Sequence, residues 1–139
     1  MSRPVYDTIS DRDRAFVFCL KQFSISRTPN QKGICLVRDN EVQAAVCYDW
    51  FTGTNCFMHV AAKPGARWMT RDFLKWTFHY PFVQQGLQRV SGWVEANNTA
   101  ARRFDEHLGF KHEATLEGAG QSGVDVLIYT MKRQDCRYV

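Results

Sequence analysis

No apolar run in this chain approaches the ~20 residues that a membrane-crossing helix requires, which excludes a helical membrane span. No CxxC pair occurs, so nothing suggests a zinc site or a redox dithiol, and no metal is expected. The five cysteines (Cys19, Cys35, Cys47, Cys56 and Cys136) are odd in number and widely spaced, as expected of small buried hydrophobes kept reduced. No local signature marks any of them as a nucleophile. The opening stretch, MSRPVYDTISDRDR, lacks the basic-then-apolar pattern of a secretory signal, and the expected location is cytoplasmic. Linkers, repeats and low-complexity segments are also missing. Strong charge of one sign is lacking too: 18 basic residues against 14 acidic leave a net charge of +4. That balance suits an anionic ligand but is too mild for a nucleic-acid-binding module, and the basic tail MKRQDCRY reads as a solvated end.

What is present is a globular composition. Hydrophobic residues make up 45% and aromatics 14% of 139 residues, enough for one domain with its own core. Residues 10–23 start with a Ser or Asp cap signal before an apolar run, which predicts a helix, and FSISRTPNQK then breaks it. GICLVR and VQAAVCYDW alternate as strands about an Asp39-Asn40-Glu41 turn. CFMHVAA reads as a third strand after the FTGTN turn. A helix is expected from near Arg67, with Met69, Phe73, Trp76 and Tyr80 on one face and Pro81 ending or kinking it. LQRVSGWVE is a further strand, and FKHEATLEG and VDVLIYTMKR form two more across GAGQSG. The expected fold class is therefore α/β, with a central mixed sheet flanked by helices.

The stretch NNTAARRFDEHLGF, residues 97–110, admits two readings. As structure, Asn98 caps a helix, Ala100, Ala101, Phe104 and Leu108 form its apolar stripe, and Gly109 takes the left-handed position after its end. As function, the asparagine at the helix entrance holds a ligand. Val94, Asn98, Ala101, Phe104 and Leu108-Gly109-Phe110 together resemble the strand–helix signature of the GNAT superfamily of acyl-CoA-dependent N-acetyltransferases. The order of elements agrees, and LGFKHEATLEG followed by VDVLIYTM is similar to the branch of ribosomal-protein alanine N-acetyltransferases. The resemblance runs over residues 32–133 of a single domain spanning 1–139, with a shortened N-terminal region, 1–31.

The resemblance implies a central, mostly antiparallel sheet and acetyl-CoA as co-substrate. The strand CFMHVAA would pair with pantetheine through Val60 and Ala61, and Asn98 would serve the same arm. Gly65, Ala66, Arg67, Trp68, Met69 and Thr70 would meet the pyrophosphate, since a helix N-terminus presents unpaired N–H groups and a positive dipole end. Arg103 is a further phosphate candidate. The loop KPGARWMTR departs from the family's Gly-rich pattern, with bulky Trp68 where a small residue is usual. The reaction would be direct attack of a primary amine, on a protein or a small molecule, upon the thioester. His59 is the candidate base, with a pKa near about 6.5 suited to neutral pH, Glu95 the runner-up, and Glu113 and Asp49 behind it. A strand amide near His59 or Val60 would serve the oxyanion. Asp105 stands where the family commonly has an acidic tyrosine, and an ordinary carboxyl near about 3.9 is ionised and has no proton to give unless its surroundings change it. Tyr129 or water could serve instead. The altered loop and absent tyrosine keep open a non-catalytic protein that binds CoA or a macromolecule.

Overall fold

In the computed structural model, which describes residues 3–5 and 9–139 and side chains from Arg12 onward, the alternating and helical patterns condense on one sheet. Its elements are β1 (Arg3–Val5), α1 (Ile9–Leu20), β2 (Lys32–Arg38), β3 (Glu41–Asp49), β4 (Asn55–Ala62), α2 (Arg71–His79), β5 (Arg89–Glu95), α3 (Thr99–Leu108), β6 (Lys111–Leu116) and β7 (Val126–Lys132). The strands lie in the order β1-β2-β3-β4-β5-β7-β6. Every neighbouring pair is antiparallel except β4 with β5, so the sheet is mixed and mostly antiparallel, as expected. Asp39 and Asn40 both take positive φ, 51° and 63°, which is the two-residue hairpin geometry that follows the twist of the flanking strands.

Two apolar layers hold the sheet. Phe73 and Phe78 of α2, Leu108 of α3, and Val90, Leu127 and Tyr129 from the strands fill one. Ala15, Phe16 and Cys19 of α1 meet Cys35, Cys47 and Ala61 in the other. Gly33 seats α1 against β2: a Cβ there would come within 2.6 Å of Ala15 Cβ. Helix α1 packs mainly on β2, β3 and β4. Trp93 of β5, on that same side of the sheet, is 47% exposed.

Two element boundaries differ from the sequence reading. The first helix ends at Leu20 rather than residue 23, with the Gln22 and Phe23 N–H groups both returning to Cys19 O. The cap of that helix falls outside the described residues. The second helix starts at Arg71, not near Arg67, because Thr70 takes extended backbone and its Oγ1 accepts from Phe73 N–H at 3.1 Å. Side-chain capping set that boundary, whereas the apolar period of Met69, Phe73, Trp76 and Tyr80 ran past it. Pro81 ends the α-helix as expected, since α2 closes at His79 with Tyr80 as its C-cap, but the chain does not leave the helical course there. It sits at the start of a π turn, Tyr80–Gln84, in which Gln85 N–H reaches back to Tyr80 O. Proline lacks the N–H that would meet Thr77 O, and the buried Tyr48 hydroxyl donates to that carbonyl at 2.7 Å instead.

Candidate active site

A gap in the middle of the sheet makes the site. Strands β4 and β5 pair only over Asn55–Phe57 with Arg89–Ser91. Beyond that point β4 stays with β3 up to Ala62, while β5 stays with β7 up to Glu95, so the two strands part. The phase of β4 follows from one bond, Lys63 N–H to Gln43 O at 2.8 Å. Odd-numbered residues of β4 turn their backbone groups to β3, and even-numbered Met58, Val60 and Ala62 turn theirs toward the gap. Thr54, in the same phase, confirms this by accepting from Arg89 N–H. A cleft of about 1050 Å³ opens along the gap, walled by both β4 and α3.

On the α1 side of the sheet stands His59. Its Nε2 lies 2.9 Å from Asp49 Oδ1, and the Asp49 side chain is 2% exposed. Gln31, also buried, donates from Nε2 to Asp49 Oδ2 at 3.3 Å and to Ser26 O at 3.0 Å. The three residues form a row from the residue before β2 across β3 and β4. A neutral imidazole that donates its Nε2–H to Asp49 keeps its lone pair on Nδ1, so the buried carboxylate fixes the tautomer and orientation. The pairing was only half legible in the sequence, which placed Asp49 with Glu113 behind Glu95 among the candidate bases. Its carboxylate contacts His59. The register of the β3–β4 hairpin, which sets Asp49 opposite Phe57 and thus diagonal to His59, carries the signal that joins them.

On the opposite side, α3 borders the cleft. Asn98 caps it, Oδ1 accepting from Ala101 N–H at 3.1 Å. Gly109 closes it with φ 109°, its N–H bonded to Glu106 O and the Phe110 N–H to Asp105 O. Of the expected stripe, Ala100 is exposed, while Ala101, Phe104 and Leu108 face inward. Asp105 also lies inward. A Cβ at Gly92 of β5 would come 3.2 Å from its Oδ2, so the absent side chain makes room for the carboxyl. Burial, with the neighbouring Glu106 carboxylate adding to it, pushes Asp105 up to about 7.

The other residues expected at the site divide. Val60, Trp68 and Glu95 line the cleft together with His59 and Asn98. One oxygen of Glu95 is taken by the Gln121 N–H, which ties the β6–β7 loop to the end of β5. The Gln121 side chain crosses to Ser24 Oγ at 3.0 Å, linking that loop to the α1–β2 loop. Ala61 is buried against α1. Trp68 packs its ring 5.0 Å from Phe104 and 6.3 Å from Phe73, filling the space between α2 and α3. Gly65, Ala66, Arg67, Met69 and Thr70 lie on the loop before α2 rather than in its first turn, and Arg103 is exposed on the outer side of α3. Arg38 donates to Arg67 O and so fastens that loop to the β2–β3 hairpin.

A CoA thioester fits one half of this site better than the other. The pantetheine half has an open strand edge and the Asn98 amide. At the phosphate half, Arg67 and Arg71 supply charge and the first amides of α2 are unpaired by the helix, but Asp72 stands in that same first turn. Cysteine offers no competing chemistry. All five thiols are buried, burial pushes Cys56 up to about 12, and Cys19 is raised by its bond with Cys47 and by burial. Among the described residues no group of three metal-ligating side chains occurs, and no helix is long and apolar enough to cross a membrane.

No protein-family model and no curated protein matches the sequence. Solved structures do. The spermidine/spermine N-acetyltransferase SpeG from Vibrio cholerae superposes with a TM-score of 0.74 at 13% identity, over 94% of this chain and 92% of that one. The ribosomal-protein-S18-alanine N-acetyltransferase from Escherichia coli gives 0.72 at 16% identity, over 95% and 94%. A GNAT-family acetyltransferase from Bacillus anthracis gives 0.61 at 16% identity, over 75% and 66%.

Proposed function

We propose that this chain, which has the GNAT fold, is an N-acetyltransferase that moves the acetyl group of acetyl-CoA to a primary amine. The observation that carries the reading is the parted β4–β5 pair with the His59–Asp49 pair beside it. Pantetheine would add to the open edge of β4 through the Val60 and Ala62 backbone, much as an extended peptide adds to a sheet edge. The Asn98 amide nitrogen, free of the capping role that Oδ1 fills, would hold the same arm. Arg67 and Arg71 would meet the phosphates at the start of α2. The thioester carbonyl then lies near the Val60 N–H, a fixed donor for the developing oxyanion.

The acceptor would enter from the α1 side, past Trp50 and Phe23. His59, its tautomer held by Asp49, takes the proton of the attacking amine at Nδ1. Glu95, with one oxygen engaged by Gln121, serves as an anchor for the loop and an attraction for a cationic amine rather than as the base. SpeG's spermidine and an alanyl N-terminus are the two amines to offer first, because solved structures alike over nearly the whole chain carry those names. The test is acetyl transfer to spermidine and to a peptide with N-terminal alanine, followed by mass and by release of the CoA thiol. His59→Ala should lower kcat by about 10²-fold or more while acetyl-CoA still binds. The alternative is a CoA-binding protein without turnover, to which Trp68 and Asp72 at the phosphate end lend support. Unchanged slow thiol release after His59→Ala would decide for it.

A further inference from the structure

The carboxyl of Asp105 has no evident structural task. It makes no ion pair or hydrogen bond among the described contacts, and Glu106 beside it, not Asp105, accepts from the Tyr129 hydroxyl at 2.6 Å. It nonetheless lies against Gly92 of β5 on the cleft wall, across the parted strands from His59. We propose that Asp105 is the general acid of the reaction, the group that protonates the CoA sulfur as it leaves. This rests on the acetyltransferase reading above.

Three observations support the assignment. The first is position: Asp105 lies one to two turns along α3 from Asn98, on the inward face with Ala101 and Phe104, so a thioester reaching past Asn98 runs along that face. The second is shape. A side chain at Gly92 would crowd Oδ2 at 3.2 Å, and the glycine leaves the carboxyl room toward the gap. The third is its proton. A half-buried carboxyl with no cation paired to it is held neutral well above the ordinary range, up to about 7, and so has a proton to give near neutral pH. The titratable groups around it are Arg102 and Glu106 on α3 and, through Glu106, Tyr129 on β7. Arg102 donates to Ala96 O, and β5 meets the carboxyl with a glycine. Tyr129 is a poorer donor, because burial and its bond to Glu106 raise it above its ordinary value.

The step balances. The amine nitrogen bonds to the acetyl carbon and passes its proton to His59. The carbon–sulfur bond breaks with its electron pair going to sulfur, and sulfur takes the proton of Asp105. The enzyme is left with a protonated His59 and an ionised Asp105, which exchange one proton through solvent to reset.

The sign of the pH dependence follows. An acid must be protonated to act, so kcat should fall as pH rises through about 7. Asp105→Asn should keep the affinity for acetyl-CoA, lower kcat by about 10²-fold at pH 6 and abolish the alkaline fall. The second arm needs no acceptor: carbon-13 NMR of aspartate carboxyls, wild type against Asp105→Asn, with CoA bound. A carboxyl missing from the variant and titrating near 7 supports the assignment. A value near 4, or an alkaline limb that survives in Asp105→Asn, overturns it while leaving acetyl transfer intact. Failure to bind acetyl-CoA at all overturns both this assignment and the function it rests on.

Discussion

At the scale of single residues, two aspartates that line the cleft differ in what surrounds them. Asp49 is buried yet accepts from Gln31 and holds His59, so its charge has partners. Asp105 is half-buried beside another carboxylate and has no such partner among the described contacts, so its charge is disfavoured. The difference has a consequence for stability. A group whose folded pKa is raised binds more protons in the folded state than in the unfolded one between the two values. The stability this lends is fully present below about 3.9, the unfolded value, and is lost as pH rises through about 7. Asp105→Asn removes the titration. Its melting temperature should therefore exceed that of the wild type by more at pH 8 than at pH 5. A difference that stays flat with pH would show an ordinary, solvated carboxyl.

At the scale of elements, Asn98 caps α3 and is proposed to bind as well, and one substitution separates the two roles. Aspartate caps as well as asparagine, so Asn98→Asp should shift stability by no more than a few tenths of a kcal/mol, on the order of the spread between good caps. It removes the side-chain N–H donors, and acetyl-CoA affinity should fall by about tenfold, the loss expected when a site's polar partner goes unpaired. Equal calorimetric affinities would leave Asn98 as a cap alone. This helix was legible in the sequence nearly residue by residue, because capping asparagine, apolar stripe and terminal glycine are local signals. The β2–β3 hairpin was legible for the same reason. The start of α2 was not, since Met69 continued the apolar period while Thr70 stopped the helix by capping it. The π turn escaped too: its key partner, Tyr48, is distant in the chain from Thr77. The site followed the same division. His59 and Asn98 could be named from pattern and resemblance. The contact of Asp49 with His59 depends on strand register, and the raised Asp105 depends on its burial against the distant β5 strand and on Glu106.

At the scale of the whole molecule, one topological fact organises the site. Among strand neighbours, β4 and β5 alone run parallel, and they part after Phe57, which opens a backbone edge inside an otherwise continuous sheet. Unpaired N–H and C=O groups at such an edge are a cost unless something pairs with them. An extended amide-bearing chain such as pantetheine is the occupant with matching groups, and the adjoining α2 N-terminus with Arg67 and Arg71 adds attraction for the phosphates beyond it. The Ser24–Gln121 bond joins the α1–β2 and β6–β7 loops beside the same cleft, the side proposed above for the acceptor.

The most direct test is calorimetric titration of the protein with acetyl-CoA, pantetheine and adenosine 3′,5′-bisphosphate. If, as proposed, the open β4 edge and the α2 terminus each hold one half of the molecule, whole acetyl-CoA should bind at micromolar strength and each fragment far more weakly. No heat with acetyl-CoA, or a phosphate fragment binding as tightly as the whole, would contradict the account, and the cleft between β4 and β5 would have to be read without a thioester in it.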